Sequence, residues 1–143
     1  MSALEVRAGQ DWSRPLPALD NVSSTYWSAA AEGRLLIQHC PQCGTYQFYP
    51  RAMCTECGAD TEWAEASGRG TVYTFTVIRQ NGSEPFRSEL PYVVAMIALD
   101  EGPRMMGNVT GCPIEDVSIG LPVQAYIAIA EPGTGVPFWE PAR

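Results

Sequence analysis

Two copies of Cys-x-x-Cys-Gly lie close together in this chain, and they constrain its fold more than any other feature. The first spans residues 40–44 and the second spans residues 54–58. In each copy, called a knuckle below, a tight turn brings two sulfur atoms towards a common centre, and the glycine allows a positive φ beneath them. Four sulfurs complete a tetrahedral shell, so the pattern predicts a closed structural Zn²⁺ site. The expected ligands are Cys40, Cys43, Cys54 and Cys57.

The sequence also leaves other roles open for these cysteines. Iron fits the same four thiolates, and two disulfides would use them in pairs. A redox dithiol is disfavoured because it needs one Cys-x-x-Cys beside a βαβ unit, whereas this chain has two pairs and no such pattern. We expect zinc. The fifth cysteine, Cys112, is expected to be a small buried hydrophobic residue.

Charge and composition argue against several functions. The chain has 143 residues and a formal net charge of −7, which disfavours nucleic acid as a partner because that affinity comes largely from neutralising phosphates. All nine basic residues are arginine, so no lysine of this chain can form a Schiff base. The one histidine, His39, precedes the first metal cysteine, and we expect it to pack against or hydrogen-bond to the knuckle. The sequence therefore predicts no catalytic residues.

The expected location is the cytoplasm. No apolar run approaches the length needed to span a membrane, and the N-terminus lacks the basic and apolar regions of a signal peptide. Reduced thiolates and zinc fit a reducing compartment. We therefore expect no membrane contact.

Composition and periodicity divide the chain into four segments. They are an extended arm (1–20), a short helix (21–34), a zinc ribbon (35–66) and a barrel (67–143). The arm carries Pro15 and Pro17 and is expected to be disordered alone or laid on a partner. Tyr26 and Trp27 lie on one edge of the helix, which ends near Gly33. These two aromatic residues either pack on their own domain or anchor another subunit.

The last segment predicts an all-β module. The expected strands are 70–79, 92–99, 104–110, 121–130 and 136–139. The second of them is apolar on both faces, so both faces should be covered. Gly107 and Asn108 suggest a bulge in the third, and the loop Gln80–Pro91 should be mobile. Five strands, with a longer connection between the third and the fourth, are typical of a closed Greek-key barrel of the OB type. The predicted fold class is mainly β, with a short N-terminal helix, a zinc ribbon and a five-stranded OB-type barrel.

Several pieces of the chain, taken in order, resemble a known family. They are Trp27–Leu36, the two knuckles, Pro50-Arg51, Ser67–Tyr73, Pro91–Val94, Leu99–Arg104, Glu115–Val117 and Ile119–Val123. This pattern is similar to acyl-CoA-associated OB-fold proteins with an N-terminal rubredoxin-like zinc ribbon, a domain-of-unknown-function family. The similarity runs from about Asn21 to the end of the chain.

The resemblance implies a partner more than a reaction. Such proteins accompany thiolase-fold enzymes: acetyltransferases, thiolases, and retro-aldolases that shorten sterol side chains held as CoA thioesters. The resemblance implies that a thiolase-like subunit, expected as a dimer, carries the catalytic residues. This chain would stabilise the complex and shape access of the CoA substrate. The arginine-only basicity, with many Ala, Gly and Pro residues, hints at a GC-rich genome and mildly favours steroid degradation.

We expect this chain to be a non-catalytic subunit that contacts a partner enzyme and its CoA substrate. Tyr26 and Trp27 are the candidate partner interface. The candidate contacts to CoA phosphates are Arg69, Arg79, Arg87 and Arg104, because arginine binds phosphate in bidentate fashion. One alternative is a nucleic-acid-binding module, since zinc ribbons and OB folds both bind nucleic acid; the negative charge opposes it. An independent acyltransferase or hydrolase would need a nucleophile and a base that the sequence does not show.

Overall fold

The structure is a computed structural model that describes residues 3–9 and 11–143. The predicted arm also includes Met1, Ser2 and Gln10, which lie outside the described residues. In chain order the elements are β1 (Val6–Arg7), α1 (Ser24–Ala31), β2 (Leu36–His39), β3 (Tyr46–Gln47), β4 (Glu62–Glu65), β5 (Arg69–Ile78), β6 (Tyr92–Leu99), β7 (Arg104–Val109), β8 (Pro122–Glu131) and β9 (Thr134–Pro141). Two 3₁₀ turns lie at Phe86–Glu89 and Ile114–Asp116.

Five strands close into a barrel. Their order is β8-β5-β6-β7-β9, and β9 pairs again with β8. The neighbours are antiparallel except β7 and β9, which close the barrel as a parallel pair at Val109 and Trp139. A small closed barrel of five strands is the OB architecture. Together with the separate three-stranded ribbon sheet β3-β2-β4 and the helix α1, it confirms the predicted fold class.

The barrel interior is filled by alternate residues of its strands. In β6, Val93, Ala95, Ile97 and Leu99 are buried, and the residues between them are only half-buried. The expectation that both faces of this strand are covered holds fully for the inner face and only in part for the outer face, because the outer face of a barrel strand borders solvent. Trp139 is the largest fully buried side chain in the described part of the chain.

The third barrel strand is regular where a bulge was predicted. Asn108 pairs with Val94 and Gly107 pairs with Ala95 in the unbroken register of β6 and β7. The prediction of a bulge there is wrong. The register shift falls instead in β5, between Val72 and Thr74. Glycine at position 107 leaves room for the buried indole of Trp139.

The N-terminal arm packs on the barrel of its own chain. Val6 and Arg7 form a short parallel strand against Ile127 and Ala128 of β8. Farther along, Trp12 meets the outer aromatic surface of the barrel edge-on. The expectation of an arm that is disordered alone or laid on a partner is wrong for these residues. The physical reason is that β5 pairs only with the first residues of β8. The rest of the β8 edge that faces β5 therefore keeps backbone groups free to pair with another strand.

The loop between β5 and β6 is fastened at several points. Asn81 Nδ2 donates to the hydroxyl of Tyr92 at 3.1 Å. Arg14 of the arm forms an ion pair with Glu89 at 3.0 Å and donates to Asn108 Oδ1 at 2.9 Å. The arm thereby links this loop to the barrel wall. In the part of the chain that the structure describes, no helix is long and apolar enough to cross a bilayer.

Candidate metal centre

Two turns of the same geometry position the four cysteines. In the first knuckle the Gly44 amide donates to the Cys40 carbonyl at 2.8 Å, and in the second the Gly58 amide donates to the Cys54 carbonyl at 3.0 Å. The φ angles of Gly44 and Gly58 are 79° and 78°, in the region that glycine adopts without strain. The sequence-based prediction for both glycines is confirmed. Because β2 ends at His39, the first knuckle is attached directly to the ribbon sheet.

The four sulfur atoms lie in the arrangement that a tetrahedral metal requires. All lie within 4.8 Å of one another, and the Cys40–Cys57 and Cys43–Cys54 distances are both 3.6 Å. A zinc ion with Zn–S bonds of about 2.3 Å has sulfur–sulfur edges of about 3.8 Å. These distances are far longer than a disulfide bond of about 2.05 Å, and the cysteines are free. The residues therefore fit a metal, and disulfides are excluded in this structure.

The electrostatics of the thiols also fit a cation. A hydrogen bond to Thr45 lowers the pKa of Cys43 to about 6. For Cys57, a hydrogen bond to the backbone of Ala59 lowers the pKa, but the neighbouring thiols outweigh it and raise the pKa to about 12. Several thiolates this close repel one another, and a dication at their centre removes that penalty. Four thiolates would fill the shell of zinc and leave no open position for substrate, which makes the site structural.

Two buried glutamines, missed by the sequence-based reasoning, hold the segment between the knuckles. Gln47 Nε2 donates to Gln38 Oε1 at 2.8 Å. Gln38 also accepts from the Arg51 amide and donates to the Arg51 carbonyl, both at 2.8 Å. Gln47 Oε1 accepts from the Thr55 amide at 2.9 Å. The sequence does carry a signal for this pair: each of the two short strands β2 and β3 includes a glutamine beside a small core. A polar side chain that is buried there needs a hydrogen-bond partner.

The single histidine lies beside the first knuckle, and its ring is engaged with neighbours on the ribbon. His39 Nδ1 lies 3.1 Å from Glu62 Oε1, and the imidazole packs 4.6 Å from the Tyr46 ring. Both contacts come from strands that flank β2. The sequence predicts a contact between His39 and the knuckle, but both of these contacts are with strands of the ribbon sheet, outside residues 40–44 and 54–58.

The two aromatic residues of α1 have different environments. Tyr26 is 2% exposed and belongs to the main core, where burial raises its pKa. Trp27 is half-buried and meets the Tyr26 ring edge-on at 4.8 Å. Tyr26 therefore packs within the core of this chain. The partner interface stays a prediction, and it depends on Trp27.

The structure separates the four candidate CoA-binding arginines. Arg69 begins β5 and Arg79 follows its end; ten residues of strand span about 30 Å. Arg104 begins β7, near the Arg69 end, with its guanidinium 3.7 Å from the centre of the Tyr73 ring. Arg87 lies in the loop at the opposite end. One phosphate group cannot contact all four, and the individual contacts stay predictions.

The ribbon and the barrel together define the class: a zinc-ribbon protein with an OB-fold barrel. The family model for the ChsH2 rubredoxin-like zinc ribbon domain matches residues 27–63, and the model for the ChsH2 C-terminal OB-fold domain matches residues 63–128. A DUF35 domain-containing scaffold protein of Methanocaldococcus jannaschii is 42% identical over 102 residues, which cover 69% of this chain and 72% of that protein. The chain belongs to the DUF35 family of ChsH2-type zinc-ribbon and OB-fold proteins.

Other relatives are longer proteins. A probable enoyl-CoA hydratase alpha subunit of Thermomonospora curvata is 36% identical over 130 residues, 90% of this chain and 40% of that protein. The 3-oxo-4,17-pregnadiene-20-carboxyl-CoA hydratase alpha subunit of Mycobacterium tuberculosis is 32% identical over 127 residues, 87% of this chain and 39% of that protein. The chain thus spans about two fifths of these two relatives. Among solved structures, a chain of the Ltp2-ChsH2(DUF35) aldolase superposes with a TM-score of 0.79 at 35% identity, covering 89% of this chain and 99% of that one.

Proposed function

We propose that this chain is a non-catalytic subunit of a complex with a thiolase-fold enzyme that acts on acyl-CoA thioesters. It stabilises the complex and shapes the access of the CoA substrate. The observation that carries the proposal is the 35% identity over 99% of a chain from the Ltp2-ChsH2(DUF35) aldolase, whose name joins a DUF35 chain with a second component. Relatives named as hydratase alpha subunits also point to a hetero-oligomer.

The chemistry of the ribbon supports a structural role. Cys40, Cys43, Cys54 and Cys57 would hold the metal, and four thiolates leave it no position for substrate or water. The one imidazole in the chain contacts Glu62 and Tyr46 beside this centre. A metal in this site would supply folding free energy for the ribbon. The ribbon therefore acts as a rigid platform in the proposed complex, and the partner supplies the reacting groups.

Among reactions of such complexes, we favour the retro-aldol cleavage of a sterol side chain over thiolysis or acyl transfer. The support comes from two relatives. One carries the name of an aldolase, and the other is named for a steroid CoA thioester with a pregnadiene nucleus. The proposed location is the cytoplasm.

The test is to purify the tagged chain from its native host and to identify what elutes with it by mass spectrometry. We expect a thiolase-fold subunit in fixed stoichiometry, and cleavage of acyl-CoA only when both recombinant subunits are present. Turnover by the isolated chain, or recovery of the chain with no thiolase-fold protein, would contradict the proposal. An electrophoretic shift with single-stranded oligonucleotides at low salt tests the nucleic-acid alternative, and we expect none.

A further inference from the structure

A groove of about 410 Å³ lies where the helix, the ribbon and the barrel meet. Its floor includes buried side chains of the core, and its walls come from α1, from the segment between the knuckles, and from β6, β7 and β9. We call it the apolar groove. Its half-buried and exposed lining residues include Trp27, Tyr49, Arg51, Met96, Arg104 and Met106.

The groove presents large apolar side chains to solvent. Met106 is 67% exposed and Tyr49 is 38% exposed. Met106 points away from the barrel interior, because its neighbour Met105 is only 3% exposed and successive strand residues face opposite sides. Met96 pairs directly with Met106 across β6 and β7, so the two thioethers form one outward surface. A grouped apolar surface of this kind marks an interaction site.

The charges around the groove have one sign. Within the described part of the chain, the charged residues that line it are Arg51 and Arg104, and no carboxylate is among its lining residues. This contrasts with the chain as a whole, which has a net charge of −7. Both arginines are anchored: the backbone of Arg51 is held by Gln38, and the guanidinium of Arg104 stacks on Tyr73. The groove is thus complementary to a surface that combines apolar side chains with carboxylates.

The types of residue that line the groove favour a protein as its occupant. Aromatic residues, methionine and arginine are the types enriched at the centres of protein interfaces, where lysine and carboxylates are depleted. Methionine also adapts its shape to a partner surface. We propose that the apolar groove is the docking site for a segment of the partner subunit that carries apolar side chains and carboxylates. This inference rests on the proposed function, which makes that partner a thiolase-fold subunit.

Two pairs of charge-changing variants test this proposal. In each pair, one variant changes a residue of the groove and the other changes a control residue elsewhere on the surface. Met106→Glu places a carboxylate on the lining of the groove. Ile119→Glu is its control, at an apolar residue of similar exposure, 71%, that does not line the groove. Arg104→Glu reverses one of its cations, and Arg79→Glu reverses an exposed arginine at the far end of β5. All four are purified in parallel with the unmodified chain from the native host. Zinc content and melting temperature identify folded protein.

We expect Met106→Glu and Arg104→Glu to lower the affinity for the thiolase-fold subunit by at least about tenfold, with the two controls within about twofold of the unmodified chain. Equal binding by all five proteins would overturn the docking proposal and leave the proposed function intact. If the unmodified chain recovers no thiolase-fold subunit, both the proposed function and this inference fail. A dimer of the isolated chain that Met106→Glu converts to a monomer would make a second copy the occupant, which also overturns the inference.

Discussion

Gly107 in β7 faces the indole of Trp139 in β9 so closely that a Cβ at position 107 would lie 2.7 Å from Trp139 Cδ1 and 2.9 Å from Nε1. Trp139 is fully buried and cannot move aside without disturbing the core. The contact lies next to the parallel pair of Val109 and Trp139 that closes the barrel. Glycine at position 107 therefore makes room for the largest side chain of the interior.

Gly107→Ala should destabilise the barrel by about 1–3 kcal/mol, because the added methyl group overpacks the site against an immobile indole. Urea denaturation followed by tryptophan fluorescence measures this change. Gly82→Ala is the control, since a Cβ there meets nothing within 4 Å and the loss of backbone freedom in the unfolded chain is at most mildly stabilising. Equal stability of the two variants would show that the barrel relaxes around Trp139.

The metal centre should contain about one zinc ion per chain, because four thiolates fill a tetrahedral shell. Cys40→Ser should lose the zinc and unfold the ribbon, since metal binding there supplies much of the folding free energy. Elemental analysis and circular dichroism of freshly reduced protein measure both effects. Cys112→Ser is the control, since this thiol is not among the four clustered cysteines, and should keep the zinc. Protein with neither zinc nor iron would contradict the assignment.

Gln38→Leu should destabilise the ribbon by about 1–3 kcal/mol, because it leaves the amide and the carbonyl of Arg51 without their side-chain partner and removes one hydrogen bond of Gln47. The expected result is a lower melting temperature and faster transfer of zinc to a chelator. Gln42→Leu, at an exposed position of the first knuckle, should change neither. If the two variants behave alike, the glutamine pair does not hold the segment between the knuckles.

Trp27→Ala should weaken binding of the thiolase-fold subunit by roughly thirtyfold, since truncation of an aromatic anchor at an interface centre commonly costs about 2 kcal/mol or more. The isolated variant should keep its zinc and its β-sheet signature. Affinity per folded molecule and melting temperature are measured on the same preparation. A lower melting temperature with unchanged affinity would assign Trp27 to internal packing, as the structure already does for Tyr26.

His39→Ala should leave the activity of the assembled enzyme within about tenfold, because loss of a proton-transfer group typically costs 10²–10⁴. The contacts to Glu62 and Tyr46 lie at the ribbon surface, so zinc content should be unchanged. Steady-state kinetics of the reconstituted complex measure the effect. A loss of about three orders of magnitude, with zinc and assembly intact, would make His39 catalytic.

The metal centre and the fold class were predictable from the sequence because the interactions that specify them are local. Each pair of ligands and its glycine lie within five residues of chain, so one turn determines where both sulfurs point. The barrel strands were predictable within about two residues at most boundaries, since alternation of apolar residues follows from the pleat of a strand. Only the last strand is markedly longer than expected, at Thr134–Pro141.

The tertiary structure alone decided which residues share a surface. Tyr26 and Trp27 are adjacent in sequence and both line the apolar groove, yet the first is buried in the core and the second is only half-buried. The arm covers its own barrel because β5 and β8 pair over only three residues and leave an edge for β1. The groove itself joins side chains from three parts of the chain. Such relationships depend on how separate elements pack against one another, and the periodicity within a single element carries no information about that packing.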